Sequence, residues 1–358
     1  MKLNRLFTLF LLFVIVILMA GCGGPEAKKM KFFDKGNELY AEGDYVSAGL
    51  EFKKAVEIDP NFADGYYMLG KVALHIANAN VAFQSFAKAI QINPGHLKAQ
   101  AEIGKLLLVA GEPDKALAKA EAILQTNPQN EEALLLKGAV MIARKETDQA
   151  LQYLDGLMKQ GINNPEAYLL VSAVYLSKGD GQNALNTLLT GINNNPEAAP
   201  LYAKLTNLYI AGKRIPDALS TLQKLIELQP ANPKHHLALA NLQWATGNQQ
   251  KAVDIMNNFV SDAPENENRW IQTAKFYLSH KLLPNAENQL KEGLKENANS
   301  FKIRFTLADL YLSTGRTNDA TAMLMECLTL DNNPLNPDII RTKTSLAKVY
   351  LLNHKADE

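Results

Sequence analysis

One small residue recurs along this chain every 34 positions. Ala48, Ala82, Ala116, Ala150, Ala184, Ala218, Ala252, Ala286 and Ala320 form an unbroken series. Gly36, Gly70, Gly104 and Gly138 keep the same step, and the later units carry Ser172, Thr206, Ala240, Ala274 and Ala308 at that position. Pro60, Pro94 and Pro128, then Pro196, Pro230 and Pro264, hold a third phase. A fixed period of this length marks one supersecondary unit stacked many times. Such a unit cannot bury its own apolar face, so the neighbours must supply the core.

Each phased position has a mechanical reason. A small residue lets two helices cross closely. Gly43, Gly111, Gly179, Gly247 and Gly315 precede the phased Ala by five and suit the left-handed conformation just past a helix end. Asp44, Asp114, Asp180, Asn248 and Asn318 stand where a second helix needs an N-terminal cap. Pro at the unit boundary stops one helix or starts the next. Two departures stand out. Ile162 replaces the boundary Pro of the fourth unit and Ala298 that of the eighth, each beside turn-forming Asn.

This pattern resembles the tetratricopeptide repeat. In that family the first helix of a hairpin carries an aromatic, a Leu-Gly pair and a Tyr. The second carries small, bulky and small residues, and a Pro closes the unit. The second unit here reads Tyr66, Leu69-Gly70, Ala82, Phe86, Ala89, Pro94, and the first reads Phe32, Gly36, Ala48, Phe52, Ala55, Pro60. The ninth reads Leu307-Ala308, Tyr311, Ala320, Leu324, Cys327, with Pro334 late. The resemblance covers residues 29–334 as nine units, starting at Lys29, Ala63, Leu97, Glu131, Pro165, Ala199, Pro233, Glu267 and Phe301. It implies an all-α fold: a right-handed superhelical solenoid of nine tetratricopeptide hairpins. Residues 338–352 read as one further first helix, with Leu346-Ala347 and Tyr350 in phase, either a terminal cap or the start of a tenth repeat.

The amino terminus reads as an export signal. Lys2 and Arg5 precede the uncharged run from Leu6 to Ala20, which is short for a bilayer span and suits a signal-peptide core. Leu18-Met19-Ala20-Gly21-Cys22 resembles a bacterial lipobox, with Met19 where Leu is usual. That resemblance implies removal of residues 1–21, lipidation of Cys22 (palmitate among its acyl groups), and a periplasmic, membrane-anchored protein. An ordinary cleaved signal or an uncleaved anchor remain the alternatives. Gly23 in place of Asp favours the outer membrane over the inner. Residues 22–31 are expected to form a mobile tether.

Composition narrows the function. With 37 basic and 37 acidic side chains the formal net charge is +0, which argues against a nucleic-acid partner. The two cysteines, Cys22 and Cys327, have no metal-ligand spacing. The six histidines include no HExxH pair, and no phosphate-binding loop or nucleophile elbow occurs. The expectation is a chain that is not an enzyme and uses no cofactor or metal.

Function then falls to the groove. In the tetratricopeptide family the concave surface is lined by set positions of each first helix. Phase carries these onto Phe33, Asn37, Tyr40, Tyr67, Lys71, Lys105, Asn207, Asn241, Trp244 and Lys275 as candidate ligand-binding residues. The family's clamp for an acidic carboxyl-terminal tail needs Lys where Phe33 stands, so that ligand is excluded. Two classes of ligand stay open: protein partners of a cell-envelope complex, and polysaccharide held by the aromatic and amide side chains. Plain packing between neighbouring first helices is an equal alternative for each residue. Exported lipoproteins with long arrays of this kind resemble components of exopolysaccharide assembly and export, including the PEP-CTERM type. Others serve outer-membrane protein or pilus assembly.

Overall fold

The 34-residue period folds as helix pairs. In a computed structural model, which describes residues 24–352, there are 19 helices and no strand among the described residues. The first helices of successive pairs are α1 (Pro25–Ala41), α3 (Ala63–His75), α5 (Leu97–Val109), α7 (Glu131–Ala143), α9 (Pro165–Ser177), α11 (Ala199–Ala211), α13 (Pro233–Ala245), α15 (Glu267–Ser279) and α17 (Phe301–Ser313). Their partners are α2 (Tyr45–Ile58), α4 (Ala79–Ile92), α6 (Pro113–Thr126), α8 (Thr147–Lys159), α10 (Gly181–Asn194), α12 (Ile215–Leu228), α14 (Gln249–Ser261), α16 (Leu283–Glu296) and α18 (Thr317–Leu330). A last helix, α19, runs Pro337–Leu352. The chain divides into two units, Met1–Ala218 and Leu219–Glu358, with the division inside α12.

Close approach explains the phased small residues. All nine phased alanines are completely buried. A methyl group on Gly36 would lie 2.5 Å from the Phe52 ring, on Gly70 2.5 Å from Phe86, and on Gly138 2.6 Å from Leu154. The first helix thus presents a notch, and a bulky side chain of the second helix fills it. In the third pair that bulky position is Ala120, and Leu136 from α7 covers Gly104 instead.

The turn between paired helices needs one residue in the left-handed region. Gly43, Gly111, Gly179, Gly247 and Gly315 supply it with φ of 75–85°. In the alternate units Ala77, Lys145, Lys213 and Lys281 adopt the same conformation with φ of 54–62°. There the favourable stacking overrides a local cost of about 1–2 kcal/mol. Asp44 and Asp180 cap their helices as expected, accepting from Ser47 N at 3.1 Å and Asn183 N at 3.0 Å. Asp114 does not. It lies inside the first turn of α6, behind Pro113, and accepts from Arg144 at 2.5 Å. Asn248 makes no side-chain cap bond, and Asn318 lies inside α18, whose N-cap is Arg316.

A repeated hydrogen bond closes four of the boundaries. A side chain on the first turn of the incoming helix reaches back to the boundary proline's carbonyl. Gln100 donates to Pro94 O at 2.6 Å, Tyr202 to Pro196 O at 3.0 Å, His236 to Pro230 O at 2.8 Å and Trp270 to Pro264 O at 2.7 Å. The fourth unit lacks that proline, and Tyr168 donates to Asn163 Oδ1 at 2.9 Å. Its second helix ends early in a left-handed Gly161 with φ of 99°.

The expected tether is not one. Residues 25–31 form the first two turns of α1. Pro25 starts the helix with its fixed φ, and Lys29 is buried. The Lys29 ammonium bonds Asp59 at 2.9 Å and Glu26 at 2.7 Å, and lies 4.5 Å over the Phe62 ring. Cys22 and the export signal lie outside the described residues.

The small position buried in all nine pairs is exposed at Ala347 on α19, which has no second helix over it among the described residues.

Candidate functional site

Within each unit successive first helices pack on one another: α5 on α7, α7 on α9 and α9 on α11 in the first unit, and α13 on α15 and α15 on α17 in the second. First helices are therefore the tighter, inner side of each stack.

In the first unit this inner side carries a linked row of charges. Lys71 Nζ on α3 lies 3.6 Å from Glu102 Oε1 on α5. Lys105 Nζ lies 3.8 Å from the same oxygen and 3.0 Å from Glu166 Oε2 on α9. Burial pulls the Lys105 ammonium towards neutrality, and Glu166 and Glu102 outweigh it, holding its pKa above the ordinary value. Tyr67 is pushed up to about 12, first by burial and then by Glu102 and Glu132. The row joins α3, α5 and α9, passing over the intervening repeat.

The candidate residues fall into three groups. Lys71 and Lys105 belong to the charged row. Phe33, Tyr40, Tyr67 and Trp244 are packing residues. Phe33 meets Phe52 at 5.5 Å and Phe62 at 4.9 Å, and Tyr67 meets Phe86 at 5.7 Å and His96 at 5.0 Å. The Tyr40 hydroxyl lies 2.8 Å from His75 Nε2. In the second unit Trp244 stacks on His280 at 4.1 Å, and His280 Nε2 donates to Asn241 Oδ1 at 2.9 Å. Asn37 is half-buried, and Asn207, Asn241 and Lys275 are exposed.

Sequence reasoning missed the acidic half of the row. Glu132 and Glu166 occupy the second position of their helices, a groove position by phase, and were legible there. Glu102 falls between groove positions; it stands one turn before Lys105 on α5, and the fold brings Lys71 of α3 to it. Cys327 is completely buried, and burial pushes its thiol up, so it fills space. Among the described residues no group of three or more His, Cys, Asp or Glu is placed to hold a metal ion. No described helix is long and apolar enough to cross a membrane.

Comparison with known proteins assigns the repeat. Residues 28–168 match the cytochrome c-type biogenesis protein H tetratricopeptide domain, and residues 202–267 and 301–334 match tetratricopeptide repeats. The chain carries tetratricopeptide repeats in both units. No curated protein matches it by sequence. Among solved structures, a chain of the anaphase-promoting-complex hetero-tetramer Cut9-Hcn1 is 14% identical. It aligns over 92% of this chain and 77% of that one, with a TM-score of 0.40. The tetratricopeptide domain of P58(IPK) is 17% identical over 92% of this chain and 100% of that one, with a TM-score of 0.29.

Proposed function

We propose that this protein is a non-enzymatic scaffold, lipid-anchored through Cys22 on the periplasmic side of a bacterial membrane, that holds protein partners during cell-envelope assembly. The observation that carries the reading is the Lys71–Glu102–Lys105–Glu166 row on the inner face of the first unit. Paired charges held at fixed positions by helices select a partner by charge pattern more than by bulk affinity. The small and apolar floor beyond them, at Ala139 and Ala173, leaves room for a partner's side chains.

Two assembly processes compete. The architecture, a lipobox followed by many repeats, supports exopolysaccharide assembly and export. The match of residues 28–168 to the cytochrome c-type biogenesis domain supports a second reading, assembly of c-type cytochromes. A glycan-guiding role, or outer-membrane protein or pilus assembly, stands as the alternative. Crosslinking pull-down from intact cells separates the protein scaffold from the glycan guide. The scaffold reading expects specific proteins to be recovered with the wild-type chain and lost with Lys71→Glu/Lys105→Glu. Recovery of polysaccharide alone would refute it. Palmitate labelling of Cys22→Ser tests the anchor, and unchanged label would refute that part.

A further inference from the structure

The outer side of the first unit holds a crevice that the scaffold role does not use. It lies between α4 and α6 over α5 and encloses ≈ 750 Å³. Phe83, Ala87 and Ile90 form one wall, and Ile103, Leu106 and Leu107 the floor. This size and lining are those of a small-molecule site. The same crevice recurs one repeat earlier, between α2 and α4, with ≈ 530 Å³. Its Val56, Leu69 and Ala73 are the residues 34 positions before Ile90, Ile103 and Leu107.

One lining position changes in size along the repeats. It is Ser85 in the α2–α4 crevice and Lys119 in the α4–α6 crevice. In the next repeat it is Tyr153, which packs against the core there and donates to Leu134 O at 3.3 Å. That repeat thus carries a ring at the position where the first two crevices have a small or flexible side chain.

Charge then distinguishes the ligand. Three ionisable groups line the α4–α6 crevice: Glu112, Lys115 and Lys119. Glu112 and Lys115 are joined to each other as an ion pair. Among the described residues no carboxylate pairs with Lys119, whose side chain stands at the mouth. An apolar slot with a single uncompensated ammonium at its edge complements an apolar chain ending in one negative charge. The floor from Ile103 to Ala110 runs about 10 Å along the helix at 1.5 Å per residue, which takes an extended hydrocarbon of about eight carbons.

We propose that the α4–α6 crevice binds a medium-chain fatty acid of about eight carbons, its hydrocarbon between α4 and α6 and its carboxylate on Lys119. Titration calorimetry of the full chain with sodium octanoate, and with uncharged octan-1-ol, tests this. Saturable octanoate binding is expected. Lys119→Glu should weaken octanoate at least tenfold and leave octanol within twofold. Lys119→Tyr, which copies Tyr153, should remove one octanoate per chain. Ala87→Phe fills the slot from the opposite wall and should do the same, so misfolding of either variant, seen by circular dichroism, leaves the other to decide. Unchanged stoichiometry in the folded filled variants would overturn the assignment. So would equal weakening of both ligands by Lys119→Glu. Absence of octanoate binding would overturn it, and a dimer that Lys119→Glu dissociates would then assign this face to a second copy.

Discussion

Lys105 and Glu166 meet at 3.0 Å although 61 residues separate them. The contact skips a whole repeat, from α5 to α9. Both side chains are about one-third exposed, at 34% and 38%, so solvent and salt screen the pair. A double-mutant cycle of Lys105→Ala and Glu166→Ala in urea unfolding should give a coupling of about 0.5 kcal/mol that shrinks in high salt. A coupling that salt leaves unchanged would show that the pair is not the origin.

The left-handed turns offer a stability test that touches no packing. Lys145, Lys213 and Lys281 occupy φ near 60°, where five sister units place Gly. Each Lys→Gly change should stabilise by about 1 kcal/mol. Gly111→Ala, at φ of 75°, should cost a similar amount. Urea midpoints read both, and a loss of stability in the Lys→Gly variants would contradict the turn assignment.

Gly70 tests the notch. A β-carbon there meets the Phe86 ring at 2.5 Å. Gly70→Ala should destabilise by about 1–3 kcal/mol through overpacking. Adding Phe86→Leu should restore part of it, because the smaller side chain vacates the notch. Equal stability of Gly70→Ala and wild type in thermal unfolding would contradict the close approach.

His236 gives the fold a pH dependence. Burial lowers its pKa, while its bond to the Pro230 carbonyl works the other way, and the ring lies 4.2 Å from Phe259. Its folded pKa is depressed, so the unfolded chain binds more protons below about pH 6.5. The stability it contributes is present above that pH and is lost as pH falls through the folded value. His235 beside it is lowered in the same way, by burial first. The midpoint of urea unfolding should fall between pH 7 and pH 5, and His236→Gln should flatten the change. A wild-type midpoint that rises over this range would reverse the sign of the linkage.

Much of the fold was legible because each repeat solves the same packing problem. The phased Ala marks a helix crossing, and the helices α3, α5, α7, α9, α11, α13, α15 and α17 begin at the residues where the period starts its units. The first unit escaped because its leading turns have no preceding repeat in phase. Pro25 and the buried Lys29 extend α1 backwards through local chemistry that periodicity does not report. The groove was half legible. Position in the repeat located Lys71 and Lys105, but four aromatic candidates turned inward to neighbouring rings. The pairing of Glu102 with Lys71 became visible only in three dimensions, since it joins α5 to α3.

The central claim is that biology is carried on the inner face of the first helices. Site-specific photocrosslinking in intact cells tests it most directly, with the crosslinker at Ala139 or Ala173 on the inner side and at Gln84 on the outer surface of α4. The account predicts discrete protein adducts from Ala139 and Ala173, abolished by Lys71→Glu/Lys105→Glu, and none from Gln84. Adducts from Gln84 alone, or inner-face adducts untouched by charge reversal, would contradict it.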